Sequence, residues 1–150
     1  MQNLIQLYTI HPTLCIIWII LLILLIISNI LVLFNQYTFI NCTEATLLIN
    51  KQDAKVIDIR SNDEYYQTHI PNSINILASE IKHSSYIIQK LQPYKNYPII
   101  IVGSGINKME DTEIASKLNQ LKFQKVYILE SGLIDWNKEN LPLIKRETLK

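Results

Sequence analysis

The sequence predicts an α/β fold: a central parallel sheet flanked by helices, preceded by one N-terminal transmembrane helix. Three observations predict it. From about residue 43, short apolar runs alternate with helix-periodic segments, the pattern of parallel strands joined by crossover helices. Ahead of them the chain carries no charge, its first acidic or basic side chain being Glu44. Finally, a formal net charge of +1 over 150 residues suits one domain of ordinary size. That balance offers no clustered basic face for nucleic acid.

The apolar stretch TLCIIWIILLILLIISNILVLF covers residues 13–34. As a helix it would span about 33 Å, enough for a bilayer core. Ser28 and Asn29 are its only strongly polar interruptions after Thr13. A cleaved signal peptide would need a basic start and a shorter apolar core. A buried soluble helix of this length would need a larger domain around it. Residues 1–12 are expected in the membrane interface, with Pro12 marking the helix start. Lys51 and Lys55 follow the span, while no Lys or Arg precedes it. That bias puts the C-terminal domain on the cytoplasmic side of the inner membrane. Residues 35–42 read as a polar-aromatic connector, with Tyr37 and Phe39 suited to the interface.

The domain itself is expected over residues 43–145, with a tail at 146–150. TEATLLINK opens it as a short helix with Leu47 and Leu48 on its apolar face. AKVIDIR gives a buried strand through Val56, Ile57 and Ile59. SNDEYYQTH is a helix capped by Ser61 or Asn62. Pro71-Asn72 makes a turn into a strand from Ser73 to Leu77. SEIKHSSYIIQKLQPYKNY is helical in two pieces, stopped by Pro93. PIIIV is the most apolar strand and the expected sheet centre. A helix from about Lys108 to Leu121 carries Ile114, Leu118 and Leu121 at helical spacing. Val126 to Leu129 is another strand. GLIDWNKENLP is a last helix with Leu133, Ile134 and Trp136 facing inward, stopping before Pro142.

The two cysteines are Cys15, in the span, and Cys42. The chain after Cys42 therefore holds no disulfide, CxxC metal site or thiol of its own. His11 and His83 lack ligand spacing, so no metal site is expected.

Two blocks carry a recognisable pattern. VIDIRSNDEYYQTHIPNSINI resembles the first half of the rhodanese-like family. There a D-x-R strand end and a Glu precede H-I-P-G-A-x-N-I. PIIIVGSG, followed by KLNQLKFQKVYILESGLIDWNKENLP, resembles its second half, an active-site loop, a helix and G-F-x-x-V-x-x-L-x-G-G. Anchor plus domain resemble the membrane-anchored rhodanese-like proteins of Gram-negative bacteria. The resemblance implies a loop cysteine after the central strand, at a helix N-terminus, where backbone N–H groups and the helix dipole stabilise thiolate, persulfide or anion. Aligned on the strand, that cysteine falls at Gly103; aligned on Phe123, near Gly105. The thiol is absent either way, and Lys108 is the nearest cation. Glu110 and Asp111 follow at once and would repel thiosulfate or phosphate. Asn72, Lys122 and Ser131 each stand where the family has a glycine.

The candidate sites follow. Gly103, Ser104 and Gly105, with Ile106, Asn107 and Lys108, form either a plain strand-to-helix turn or an anion nest that could dock a ligand. Ser104 lacks a nucleophile elbow. Asp58, Arg60, Glu64 and His69 read as a structural ion-pair network, the alternative being an acid–base set. Cys42 reads as incidental, the alternative being a reactive thiol. Asn29 is a candidate contact to another membrane helix. The expected function is a catalytically inactive interaction or adaptor module, needing no cofactor. Its partners are the bilayer, through residues 13–34, and other membrane proteins. The resemblance extends these to the machinery that inserts membrane proteins. The rival readings are a weak thiosulfate sulfurtransferase working through Cys42 and an anion sensor.

Overall fold

A computed structural model describes residues 12–34, 37–123 and 125–146, leaving out the side chains of residues 29–34 and Ser85. It divides into two compact units, residues 1–34 and 35–150.

The first unit is helix α1, Pro12–Phe34. Proline suits a helix start because its missing N–H would be unpaired there anyway. No acidic or basic side chain lies in it. Side chains are described only as far as Ser28, and residues 12–28 measure about 26 Å, against a bilayer core of about 30 Å. Among the described residues no helix is long and apolar enough to cross a membrane. The segment expected as a span is thus an apolar helix, whose last turns, with Asn29, have side chains outside the described residues. Segment 1–11 lies outside them too.

The second unit holds a five-stranded parallel sheet in the order β1-β6-β5-β2-β4. Its strands are β1 (Tyr37–Ile40), β2 (Lys55–Asp58), β4 (Ile74–Asn75), β5 (Pro98–Val102) and β6 (Lys125–Leu129). The helices are α2 (Cys42–Gln52), α3 (Asn62–Gln67), α4 (Ala78–His83), α5 (Ser85–Leu91), α6 (Lys108–Gln120) and α7 (Leu133–Lys138). PIIIV is fully buried and central, as its composition demands. Its side chains alternate between two cores. Ile99 and Ile101 pack with Ile81, Ile114 and Leu118 on one face, while Ile100 and Val102 pack with Leu48, Leu133 and Trp136 on the other. Helices thus cover both faces of the sheet.

Four expectations are corrected. Residues 37–40, expected as a connector, form β1, an edge strand paired to β6 from Tyr37↔Val126 to Ile40↔Leu129. The strand expected from Ser73 to Leu77 pairs only at Ile74–Asn75. Ile134 faces outward, 50% exposed, because Leu133 and Trp136 already define the buried stripe of a short helix. The helix expected through SNDEYYQTH ends at Gln67, and Thr68–His69 instead form β3, paired antiparallel with β7 (Ile144–Lys145).

Local chemistry fixes the element ends. Asn41 and Ser61 cap α2 and α3 in reciprocal boxes with Glu44 and Glu64. Helix α6 ends in a Schellman motif: Phe123 N–H donates to Leu118 O at 3.1 Å and Lys122 N–H to Asn119 O at 2.8 Å. Lys122 therefore sits at φ +64°, where the family places glycine, and Asn72 does the same at +61°. Lysine in this left-handed well is strained by about 1–2 kcal/mol, partly offset by the extra unfolded freedom glycine would bring. Lys122→Gly is expected to stabilise the domain by about 0.5–1 kcal/mol. The check is a urea titration in mild detergent, followed through buried Trp136.

Candidate functional site

The loop from Gly103 to Asn107 leaves the central strand and enters α6. The chain has three glycines, and all three meet here. Gly105 has φ +76°, and a Cβ there would lie 2.6 Å from Ser131 O. Gly132, at φ +53°, would put a Cβ 2.5 Å from Gly103 O. The loop and the turn into α7 thus run backbone against backbone, at a separation only glycine allows.

Inside the loop, Ile106 N–H and Asn107 N–H each donate to Ser104 Oγ at 3.4 Å. Asn107 caps α6 by accepting from Glu110 N–H. These loop donors are therefore directed at the loop's own side chains. Lys108 reaches toward Glu130, 3.8 Å away, and over the Phe39 ring.

Beneath Gly103 sits Asp111. A Cβ built on Gly103 would lie 1.9 Å from Asp111 Oδ1, so the carboxylate fills the space where a side chain at 103 would begin. Asp111 is 3% exposed. Burial, reinforced by neighbouring Glu110 and opposed by Lys108, pushes its carboxyl up to about 6.

Asp58, Arg60, Glu64 and His69 divide into three arrangements. Arg60 grips Asp58 with Nε on Oδ1 at 3.0 Å and Nη2 on Oδ2 at 2.6 Å, and donates to Thr68 O at 2.8 Å. Asn75 Nδ2 ties the carbonyls of Asp58 and Arg60 together. Glu64 instead accepts from Ser61 N–H and Oγ–H, and that hydroxyl bond lowers its pKa. His69 stacks on Tyr65, ring centroids 4.0 Å apart, with Nδ1 2.8 Å from Tyr65 O. Among the described residues its imidazole has no carboxylate partner.

Two cavities adjoin the loop. One, of about 710 Å³, lies between Arg60, Gly103, Ser104 and the α7 side chains Ile134 and Lys138. The other, of about 280 Å³, lies among Arg60, Glu64, Ser104, Glu110 and Asp111. The sequence marks Asp111 only as a repelling charge after the loop; its burial beneath Gly103 carries no sequence signal, because it follows Glu110 at a helix start. Cys42 lines neither cavity. It is buried beside Leu133 and Trp136, and burial, then Glu139 and Asp135, pushes its thiol up. Such a thiol is a poor nucleophile, since the thiolate is the reactive form. Among the described residues no group of three His, Cys, Asp or Glu is placed to hold a metal ion.

The Rhodanese-like domain family matches residues 41–139. The chain belongs to that family. Among rhodanese-like relatives, the protein YibN of Escherichia coli strain K12 is 40% identical over 97% of this chain and 99% of its own. The thiosulfate sulfurtransferase GlpE of Coxiella burnetii is 27% identical over 67% of this chain and 88% of its own. Among solved structures, a rhodanese-related protein of Thermoplasma volcanium superposes with a TM-score of 0.57 at 26% identity. That match covers 72% of this chain and 98% of the other. The parallel sheet with helices on both faces is the rhodanese fold.

Proposed function

We propose that this chain is a membrane-anchored rhodanese-like adaptor with no sulfurtransferase chemistry. One observation carries the reading: at Gly103, a carboxylate occupies the position from which a loop thiol would project. Sulfur transfer needs a thiolate in an electropositive setting, and this loop offers a buried acid. The second sulfurtransferase route, through Cys42, meets a buried thiol whose pKa is raised. An anion sensor meets the same acid and a loop whose donors serve Ser104.

The anchor is α1. Its 23 residues carry no charge, and its large side chains from Leu14 to Ile27 stand exposed on every side. Water around so large an apolar surface is costly, whereas lipid is not. The lysines after the helix favour a cytoplasmic domain at the inner membrane. Partners are then other membrane proteins, and resemblance extends them to the machinery that inserts such proteins.

Two experiments test this. In thiosulfate with cyanide, the full-length protein is expected to form no thiocyanate above a protein-free blank. Turnover abolished by Cys42→Ser would overturn the inactive reading. In mild detergent, a partner should co-purify with the native chain, and a chain with residues 13–34 replaced by an unrelated span separates helix from domain recognition. No partner with either would overturn the adaptor role.

A further inference from the structure

The smaller cavity beside the loop has the opposite polarity to an anion pocket. Of its lining side chains three are acidic (Glu64, Glu110 and Asp111) and one, Arg60, is basic. Arg60 is already committed to Asp58 and Thr68 O. Glu110 has Lys82 at 3.8 Å, but that lysine lies closer to Glu113, at 2.8 Å. Asp111 is different from both glutamates. It is nine-tenths buried and lines this cavity, and no described residue donates a hydrogen bond to its carboxylate, whose oxygens stay open to the cavity. A buried carboxylate without a donor is costly, and a cation or strong donor entering the cavity would remove that cost. A volume of about 280 Å³ lies at the lower limit for small-molecule pockets, so it suits one side chain rather than a cofactor.

We propose that this cavity is a socket for one alkylammonium group, carried by a lysine side chain of the protein that the adaptor binds. The partner's identity as a protein rests on the adaptor reading. It is favoured over a free amine by the loop's two apolar shoulders, Ile106 and Met109, which stand 85% and 84% exposed on the same loop and helix start. Exposed aliphatic side chains beside a charged pocket suit a peptide segment, whose backbone and neighbouring residues would cover them. Two serines lining the cavity, Ser79 and Ser61, keep lone pairs that can accept remaining ammonium protons, Ser61 Oγ accepting only from Glu64 N–H.

The test uses the full-length, ¹⁵N-labelled protein in detergent micelles. It is titrated with Nα-acetyl-lysine methylamide, with the same compound acetylated at Nε, and with n-butylammonium. The amide signals of Gly103, Ser104 and Asp111 should move saturably with the lysine derivative. The Nε-acetyl compound should need at least tenfold more to reach half-saturation, and Asp111→Asn should remove the response. No movement with either ammonium, or an unchanged response in Asp111→Asn, overturns the socket. Equal affinity for n-butylammonium, which is the lysine side chain without its backbone, supports the socket; a lysine derivative that binds while n-butylammonium does not overturns it. Co-purification keeps this separate from the adaptor reading. A partner that the domain holds when residues 13–34 are replaced, and still holds after Asp111→Asn, overturns the socket and leaves the adaptor standing. A positive lysine titration with no partner does the reverse.

Discussion

Asp58→Ala is expected to destabilise the domain by about 3–5 kcal/mol, because it strands a buried guanidinium. The pair is almost wholly enclosed, with side chains 8% and 1% exposed for Arg60 and Asp58, so solvent screening offers little relief. Asp58 also accepts from Arg60 N–H at 3.1 Å, fixing the turn that leads into α3. Removing the carboxylate therefore loses a forked ion pair and a backbone anchor together. Replacing both partners by apolar residues, as in Asp58→Ala with Arg60→Met, should cost less than the single change, since no charge is then left unpaired. Urea unfolding in detergent measures both. A single-mutant loss under about 1 kcal/mol would mean that Arg60 finds water or another acceptor, and the strand end would need a different account.

Asp111→Asn should stabilise the protein at neutral pH, by about 2–3 kcal/mol. The carboxyl titrates near 6 when folded, against 3.8 as its ordinary value. Between those values the folded chain holds a proton that the unfolded chain has released. Stability is therefore highest below about pH 4, falls as the pH rises toward 6, and stays lower above it. About two pKa units correspond to about 3 kcal/mol. Asparagine has nearly the same shape and never ionises, so its advantage should appear at pH 7.5 and vanish at pH 4. Burial is the main cause, Glu110 adds to it and Lys108 opposes it. Arg60 and Glu64 face the same cavity. An equal gain at both pH values would point to packing, not charge.

The sheet centre was legible because burial on both faces leaves an unbroken apolar run, as in PIIIV. Helix α6 was legible through its spaced aliphatics, and Asn72 and Lys122 through the glycines they replace. Strand β1 was not. YTFI mixes aromatic and polar residues because an edge strand keeps one side toward solvent, and this reads like a connector. The β3–β7 pair was not legible either: it joins two residues to two others across most of the domain, with no local pattern. In the site, the absent thiol was plain from sequence. The buried carboxylate was not, because burial of one acid next to another depends on how the loop and α6 close over it.

The contact between Gly103 and Asp111 bears on how this chain could change over generations. A side chain at 103 would meet the Asp111 carboxylate at once, so any residue larger than glycine there obliges Asp111 to turn away from the loop. The two positions are therefore coupled: what stands at 103 decides where the acid of α6 can lie. A change at one is felt at the other, although they stand eight positions apart along the chain.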